Sequence, residues 1–336
     1  MKVAALLITL AIASTGVVSP PRDAPGQAPQ FRGRTDVVSV PVSVTRGRNP
    51  VTGLTAADFE LEDNGVRQVI DAVSLEQIPI DVTFLLTQFS PERDREFVRT
   101  LEGAGATRAQ LRSGDRLRLV LADDGVTGRL LDANASLAIV PEVRDLQTGV
   151  GFAGGFRSGG TDGTRGLQTY GFGVPLADAL FYALAWPSGA DRRHVIAAFT
   201  DGHNTIASVL DMEMLPRIAA RSDAVLHAVL WAAPGEGGSS GGLWRSGPVP
   251  RIDRAWEASF RALDETVQRT GGTLQRTHNA VEALTEIITN FRSSYVLRYT
   301  PPEAPKPGWH EIRVKMTRPG SFNIRARRGY EVGSSR

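Results

Sequence analysis

The chain has 336 residues, 41% hydrophobic and 22% charged, which leaves room for two ordinary domains and a sizeable core. Its 38 basic and 36 acidic residues are mixed along the chain and sum to +2, a solvated surface that argues against a nucleic-acid footprint. It contains no cysteine, which excludes disulfides, a lipid-anchored cysteine and thiolate zinc sites.

The start, "MKVAALLITLAIASTGVVSP", sets one lysine before a short apolar run and small residues. This pattern reads as a secretory signal peptide. The alternative is a retained anchor, although the run is shorter than the roughly 20 residues a spanning helix needs. Cleavage falls between Ser14 and about Ala28, ahead of or within the Pro-rich tail "SPPRDAPGQAPQ". Residues 1–30 are therefore set apart from the fold. The mature chain is expected to be exported, whether periplasmic, cell-envelope or secreted, with no later membrane span.

Residues 31–78 read as β-structure. "DVVSVPVSVTR" alternates apolar and polar residues as a half-buried strand does, and "FELEDNGVRQVIDAVSLE" places Asn64-Gly65 between alternating arms, a hairpin signal. The segment is too small to stand alone and needs partner strands.

From Ile80 to about Phe291 strands and helices alternate. The strands are "IDVTFLL", a pair in "DRLRLVLADDGVTGRLL" around Asp124-Gly125, "RRHVIAAF", "AVLHAVLW" and an edge strand "GTLQRT". The helices are "PERDREFVRTLEGAGATRAQL", "PLADALFYALAW", "DMEMLPRIAARS", "RAWEASFRALDETVQRT" and "AVEALTEIITNF". Such alternation implies βαβ units, a mostly parallel sheet and helices on both faces.

The tail, 293–332, returns to strands between Pro and Gly turns. In "FNIRAR", Phe322, Ile324 and Ala326 share one face, and Asn323, Arg325 and Arg327 share the other, read as solvated. The economical architecture is a β-sandwich made by 31–78 and 293–332, with an α/β domain, 79–292, inserted between them. A single extended sheet is the alternative.

Candidate chemistry is sparse. Asp201 in "FTDG" stands at the carboxyl end of a strand, where open α/β sheets bind ligands. It either holds a divalent cation or accepts hydrogen bonds within the turn formed by Gly202 and His203. The five histidines, His194, His203, His227, His278 and His310, lack metal-ligand spacing, and His227 reads as a satisfied core residue. "GSSGG" at 238–242 matches a nucleophile elbow only formally, because it lies inside a glycine-rich loop. "GFAGGFRSGGTDGTRG" lacks the Gly-Lys-Ser/Thr ending of a phosphate loop. No residue set offers a nucleophile with a base and an orienting partner, so the expectation is that the chain is not an enzyme. A hydrolase with an unrecognised site is the rival.

The order of strand, polar loop and helix, followed later by "RRHVIAAFTDGHN", resembles a von Willebrand factor type A (VWFA) domain. The flanks "DVVSVPVSVTRGRNPVTGLTAADFELEDNGVRQVI" and "FRSSYVLRYTPPEAPKPGWHEIRVKMTRPGSFNIRARRGYEV" resemble the bacterial secreted VWFA-related domain proteins, so the likeness covers 31–332. The resemblance implies a metal-ion-dependent adhesion site (MIDAS) for Mg²⁺, built from Asp-x-Ser-x-Ser, a Thr and a later Asp. Here Thr87, Phe89 and Pro91 occupy the Asp, Ser and Ser places, and Val174 stands where the family commonly has Thr. Only Asp201 remains.

The expectation is thus a degenerate, metal-free site without a cofactor. The alternative is Mg²⁺ held by an atypical set around Asp201, with Ser90, Glu92 or Asp94, or Thr161 or Thr164, substituting. The carboxyl-edge residues Phe89, Ser90, Thr200, Asp201 and His203 are the candidate binding surface. The resemblance implies an adhesion or interaction module with a protein partner; the oligomeric state is left open.

Overall fold

The structure is a computed structural model, and it describes residues 37–75, 78–87, 111–122, 126–131, 174–187, 191–202, 204, 208–231, 250–277, 279–302 and 305–333. The expected signal peptide and the expected helix over 91–111 lie outside these, apart from its last residue.

Six strands form the central sheet: β6 (Ile80–Thr87), β7 (Arg116–Ala122), β8 (Val126–Leu131), β9 (Arg193–Thr200), β10 (Val225–Trp231) and β11 (Leu274–Thr277). Their order is β11-β10-β9-β6-β7-β8. All neighbours are parallel except β7 and β8, which run antiparallel. β6 and β9 are buried at every position, as expected of central parallel strands covered on both faces.

Alternation divides their side chains between two cores. Ile80, Val82, Phe84 and Leu86 meet Val195, Ala197 and Phe199 beneath helix α4 (Ala280–Arg292). The rings of Phe84 and Phe199 lie 5.0 Å apart there. On the other face Leu85, Ile196 and Ala198 pack with α1 (Leu176–Ala185), α2 (Leu215–Ala219) and α3 (Pro250–Thr270). α4 buries Val281, Leu284, Ile287, Ile288 and Phe291 at helical spacing. Asn279 caps it, its side chain accepting from the Glu282 amide at 3.0 Å. The helix expected over "DMEMLPRIAARS" is a 3₁₀ turn, Met212–Met214, running into the single turn of α2. No helix among the described residues is long and apolar enough to cross a membrane.

Two antiparallel sheets are built from both ends of the chain. β1 (Val38–Arg46), β2 (Asn49–Pro50), β5 (Ile70–Leu75), β12 (Tyr295–Tyr299) and β14 (Asn323–Ala326) form the first. β3 (Phe59–Asp63), β4 (Val66–Gln68), β13 (Gly308–Met316) and β15 (Gly329–Val332) form the second. One apolar cluster joins them, with Val40, Val42, Val44, Tyr295 and Leu297 from the first sheet and Phe59, Leu61 and Ile312 from the second. The chain leaves the first sheet at Leu75 and returns at Tyr295, and these two residues are register partners.

The Asn64-Gly65 turn takes positive φ at both positions, 49° and 77°, which suits the right-handed twist of a hairpin. Its second arm divides: β4 stays with β3, and β5 crosses to pair with β12. The junction is Val69, 81% exposed.

One face of β14 differs from the sequence reading. Phe322, Ile324 and Ala326 face the cluster as expected, but Arg327 beyond them is half-buried rather than on a solvated face. It donates to the carbonyls of Ala220 and Ser222 at 3.3 Å and to that of Gly329 at 2.9 Å. The carboxyl-terminal strands are thereby tied to the end of α2, an association the alternation of "FNIRAR" does not encode. Gly271 permits this approach, since a Cβ there would lie 2.7 Å from the Arg327 amide nitrogen.

Candidate functional site

β6 and β9 are neighbours in the middle of the central sheet, with β7 following β6 on one side and β10 following β9 on the other. Their carboxyl ends therefore flank the topological switch point, where ligands of open α/β sheets bind.

Thr87 closes β6 and is fully buried. Its hydroxyl donates to the Phe199 carbonyl of the neighbouring strand at 3.4 Å, back into the sheet. Thr200 closes β9, also fully buried, and its Oγ1 accepts from the Gly202 amide at 3.0 Å. Gly202 has φ +83°, a conformation in which a side chain would be strained. Half-buried Asp201 stands between them, and its backbone carbonyl accepts from Trp256 Nε1 on α3 at 3.3 Å. Trp256 stacks on Phe260, their centroids 5.2 Å apart.

The segment after β9 is gripped from the opposite side by the start of α1. Residue 175, the N-cap, is proline and offers no capping side chain. The first-turn amides instead find partners far along the chain. Ala177 donates to Asn204 Oδ1 at 2.9 Å, and Asp178 donates to Ser208 Oγ at 3.3 Å. Asp178 reciprocates, its carboxylate accepting from the amides of Val209 and Leu210 at 2.9 and 2.8 Å. Sequence reasoning missed Asp178, Asn204, Ser208 and Trp256. Asn and Ser are ordinary capping residues, but they lie 27 and 30 residues from the amides they cap, so no local spacing reveals them.

Val174 packs partly buried against the core beneath α1. The structure thus places Thr87, Val174, Thr200 and Asp201 on the elements that meet at the switch point. Phe89, Ser90, Pro91 and His203 lie outside the described residues, as do Glu92, Asp94, Thr161 and Thr164.

Mg²⁺ requires a nearly octahedral set of oxygens. The described residues do not fit it. The Thr87 hydroxyl is directed at a carbonyl, the Val174 side chain has no donor atom, and no group of three His, Asp or Glu side chains converges among the described residues.

The described histidines are held within the packed structure. The Thr83 hydroxyl, accepting from Arg118 at 3.2 Å, meets His194 Nε2 at 2.8 Å. His227 Nδ1 lies 2.8 Å from Thr273 Oγ1, the satisfied core role its apolar strand suggested. Burial, and then the positive charge of a nearby arginine, lowers each of these two from 6.5 to about 3, the arginine being Arg118 for His194 and Arg325 for His227. His310 lies 3.1 Å from Asp63 Oδ1 and donates through Nε2 to the Lys306 carbonyl at 2.8 Å. Asp63 also accepts from Tyr299 at 2.6 Å and Tyr330 at 3.0 Å, and burial first, reinforced by this carboxylate, pushes both phenols up.

No known protein family matches the sequence, and no curated protein does. Solved structures overlap it loosely. An aerotolerance-related membrane protein from Bacteroides fragilis is 12% identical, with 63% of this chain and 98% of that one covered and a TM-score of 0.36. The conserved hypothetical protein BatB from Bacteroides thetaiotaomicron is 14% identical over the same shares, also with a TM-score of 0.36. Proximal thread matrix protein 1 from the mussel byssus, solved with a zinc-occupied MIDAS motif, is 11% identical with a TM-score of 0.41; 68% of this chain and 49% of that one are covered. The chain thus spans about half the mussel protein's length. Overlaps this loose carry no function across to this chain.

Proposed function

We propose that the chain is an exported, non-enzymatic protein-interaction module: a von Willebrand A-like domain with a degenerate, metal-free site, inserted into a β-sandwich formed by both chain ends. The observation that carries this reading is the state of two positions at the switch point. Thr87 turns its hydroxyl into the sheet and Val174 presents only carbon, where the family resemblance implies a carboxylate and a hydroxyl. Recognition at this edge then relies on contacts around half-buried Asp201; Thr200, expected in the binding surface, is fully buried with its hydroxyl accepting from Gly202 and is not part of it. The commitment of the described histidines to interior partners agrees with a role outside catalysis.

The test is thermal unfolding of the mature protein with and without 1 mM Mg²⁺ or Mn²⁺, together with capture of partners from its own cell envelope with and without chelator. A native-state site with Kd of about 10 µM would add about 2.7 kcal/mol at about 1 mM metal. The expected result is an unchanged melting temperature and unchanged capture. A rise of several degrees that Asp201→Ala abolishes would establish a working metal site and overturn the reading.

A further inference from the structure

The β1–β2 turn and the loop leading into β14 enclose an open pocket of about 560 Å³, lined by Arg46, Asn49, Pro50, Val51, Arg318 and Phe322. Ligand pockets span roughly 300–1,000 Å³, so this one can hold several side-chain-sized groups. None of its residues belongs to the central sheet, so the site is independent of the switch point. The geometry points to a binding site for an acidic peptide segment that carries an apolar side chain beside its carboxylate.

The cationic part is ordered by the fold. The Arg46 guanidinium lies over the Phe322 ring, 5.0 Å from its centroid, a cation–π contact that holds it at the pocket. Gly320 leaves room for the Phe322 ring. Its φ is +138°, and a Cβ there would stand 2.9 Å from the Phe322 ring. The loop is anchored at Thr317, whose amide donates to the Asp58 carbonyl at 3.0 Å and whose hydroxyl donates to the Ala57 carbonyl at 2.6 Å.

The charge of this pocket is only partly offset from within, by one long ion pair. Arg318 Nε is 3.9 Å from Asp58 Oδ1, beyond hydrogen-bond reach, while Asp58 Oδ2 accepts from both the amide and the hydroxyl of Thr55. Among the described residues, the ring contact of Arg46 and this long ion pair of Arg318 are what the two guanidiniums make. Arg48, in the same turn, differs: it is paired with Glu282 at 3.0 Å.

Two guanidinium forks suit a carboxylate, which accepts paired N–H donors. Pro50, Val51 and Phe322 form an apolar wall beside them, which a bare phosphate would leave uncovered. An acidic residue flanked by an aromatic one uses both parts of the lining.

Binding of a fluorescein-labelled Ala-Glu-Phe-Glu-Ala peptide and its Gln-for-Glu counterpart to the full chain, followed by anisotropy, tests the assignment. The acidic peptide should saturate, and the Gln peptide should bind at least about tenfold more weakly. Arg46→Gln and Arg318→Gln should each weaken the acidic peptide about tenfold while leaving the melting temperature unchanged, because both side chains are exposed. Equal binding of the two peptides, variants that bind like the parent, or no saturation by the millimolar range would each overturn it. Displacement by inorganic phosphate at concentrations below the peptide's Kd would make this a phosphate site, and the peptide assignment would fall.

Discussion

The two edges of the central sheet are chemically unlike. At the carboxyl edge the polar side chains of Thr87, Thr200, Asp178, Asn204 and Ser208 are engaged with backbone amides and carbonyls. At the amino edge Asp81, Asp115, Arg118, Arg193 and His194 are all buried. Asp115 accepts from the Ile80 and Arg112 amides at 2.9 and 2.6 Å and pairs with Arg292 at the end of α4. Arg193 stacks over Phe291 at 4.3 Å and donates to Ser294, and Arg118 stacks on Trp186 at 3.8 Å. Among the described residues of the central sheet, buried charge thus gathers at the end opposite the expected ligand crevice, where it joins the strand starts to α4. Buried charge and a shifted histidine mark functional sites only in probability, and here they mark a structural joint.

The largest way to break this contrast is Asp115→Ala. It removes the buried carboxylate shared by the Arg292 guanidinium and the amides of Ile80 and Arg112, so a loss of about 3–5 kcal/mol is expected, measured by urea unfolding. A loss below about 1 kcal/mol would place the joint elsewhere.

Acid should act next. His194 and His227 titrate near 3 in the folded chain but at 6.5 when unfolded. Below the unfolded value the unfolded state takes up protons that the native state refuses, so stability present above pH of about 6.5 is lost as pH falls toward about 3. By pH 5 each histidine contributes a loss of about 2 kcal/mol. His194→Gln should remove half of that slope in unfolding measurements across pH, and an unchanged slope would show that the imidazole titrates normally.

The smallest effect concerns the carboxyl edge. Asp178→Ala removes two hydrogen bonds to the segment after β9, for an expected loss of about 1–2 kcal/mol. Amide exchange should accelerate at Val209 and Leu210 while the β6 and β9 amides stay protected. Acceleration across the whole sheet would mean that the two edges are one cooperative unit, and the contrast would dissolve.

Local chemistry made much of this molecule legible before any packing was considered. Continuous apolar runs in "IDVTFLL" and "RRHVIAAF" can be buried only in a sheet covered on both faces, and β6 and β9 are its centre. Asn64-Gly65 marks a reversal because its neighbours must turn tightly, and it separates the antiparallel strands β3 and β4. The identities of Thr87 and Val174 are also plain in the sequence.

Only the tertiary structure decided which strands are partners and which polar groups meet. Nothing local to Asp63 announces Tyr299, His310 and Tyr330, which arrive from the other end of the chain. Nor does the alternation of "FNIRAR" show that Arg327 reaches the carbonyls at the end of α2. The pocket of Arg46 and Arg318 likewise forms only where the β1–β2 turn meets the distant loop before β14. The physical reason is one of range. Backbone sterics and hydrophobic period act within a few residues and are written in the local sequence, whereas hydrogen bonds and ion pairs between distant segments depend on the strand order that burial of the whole chain selects.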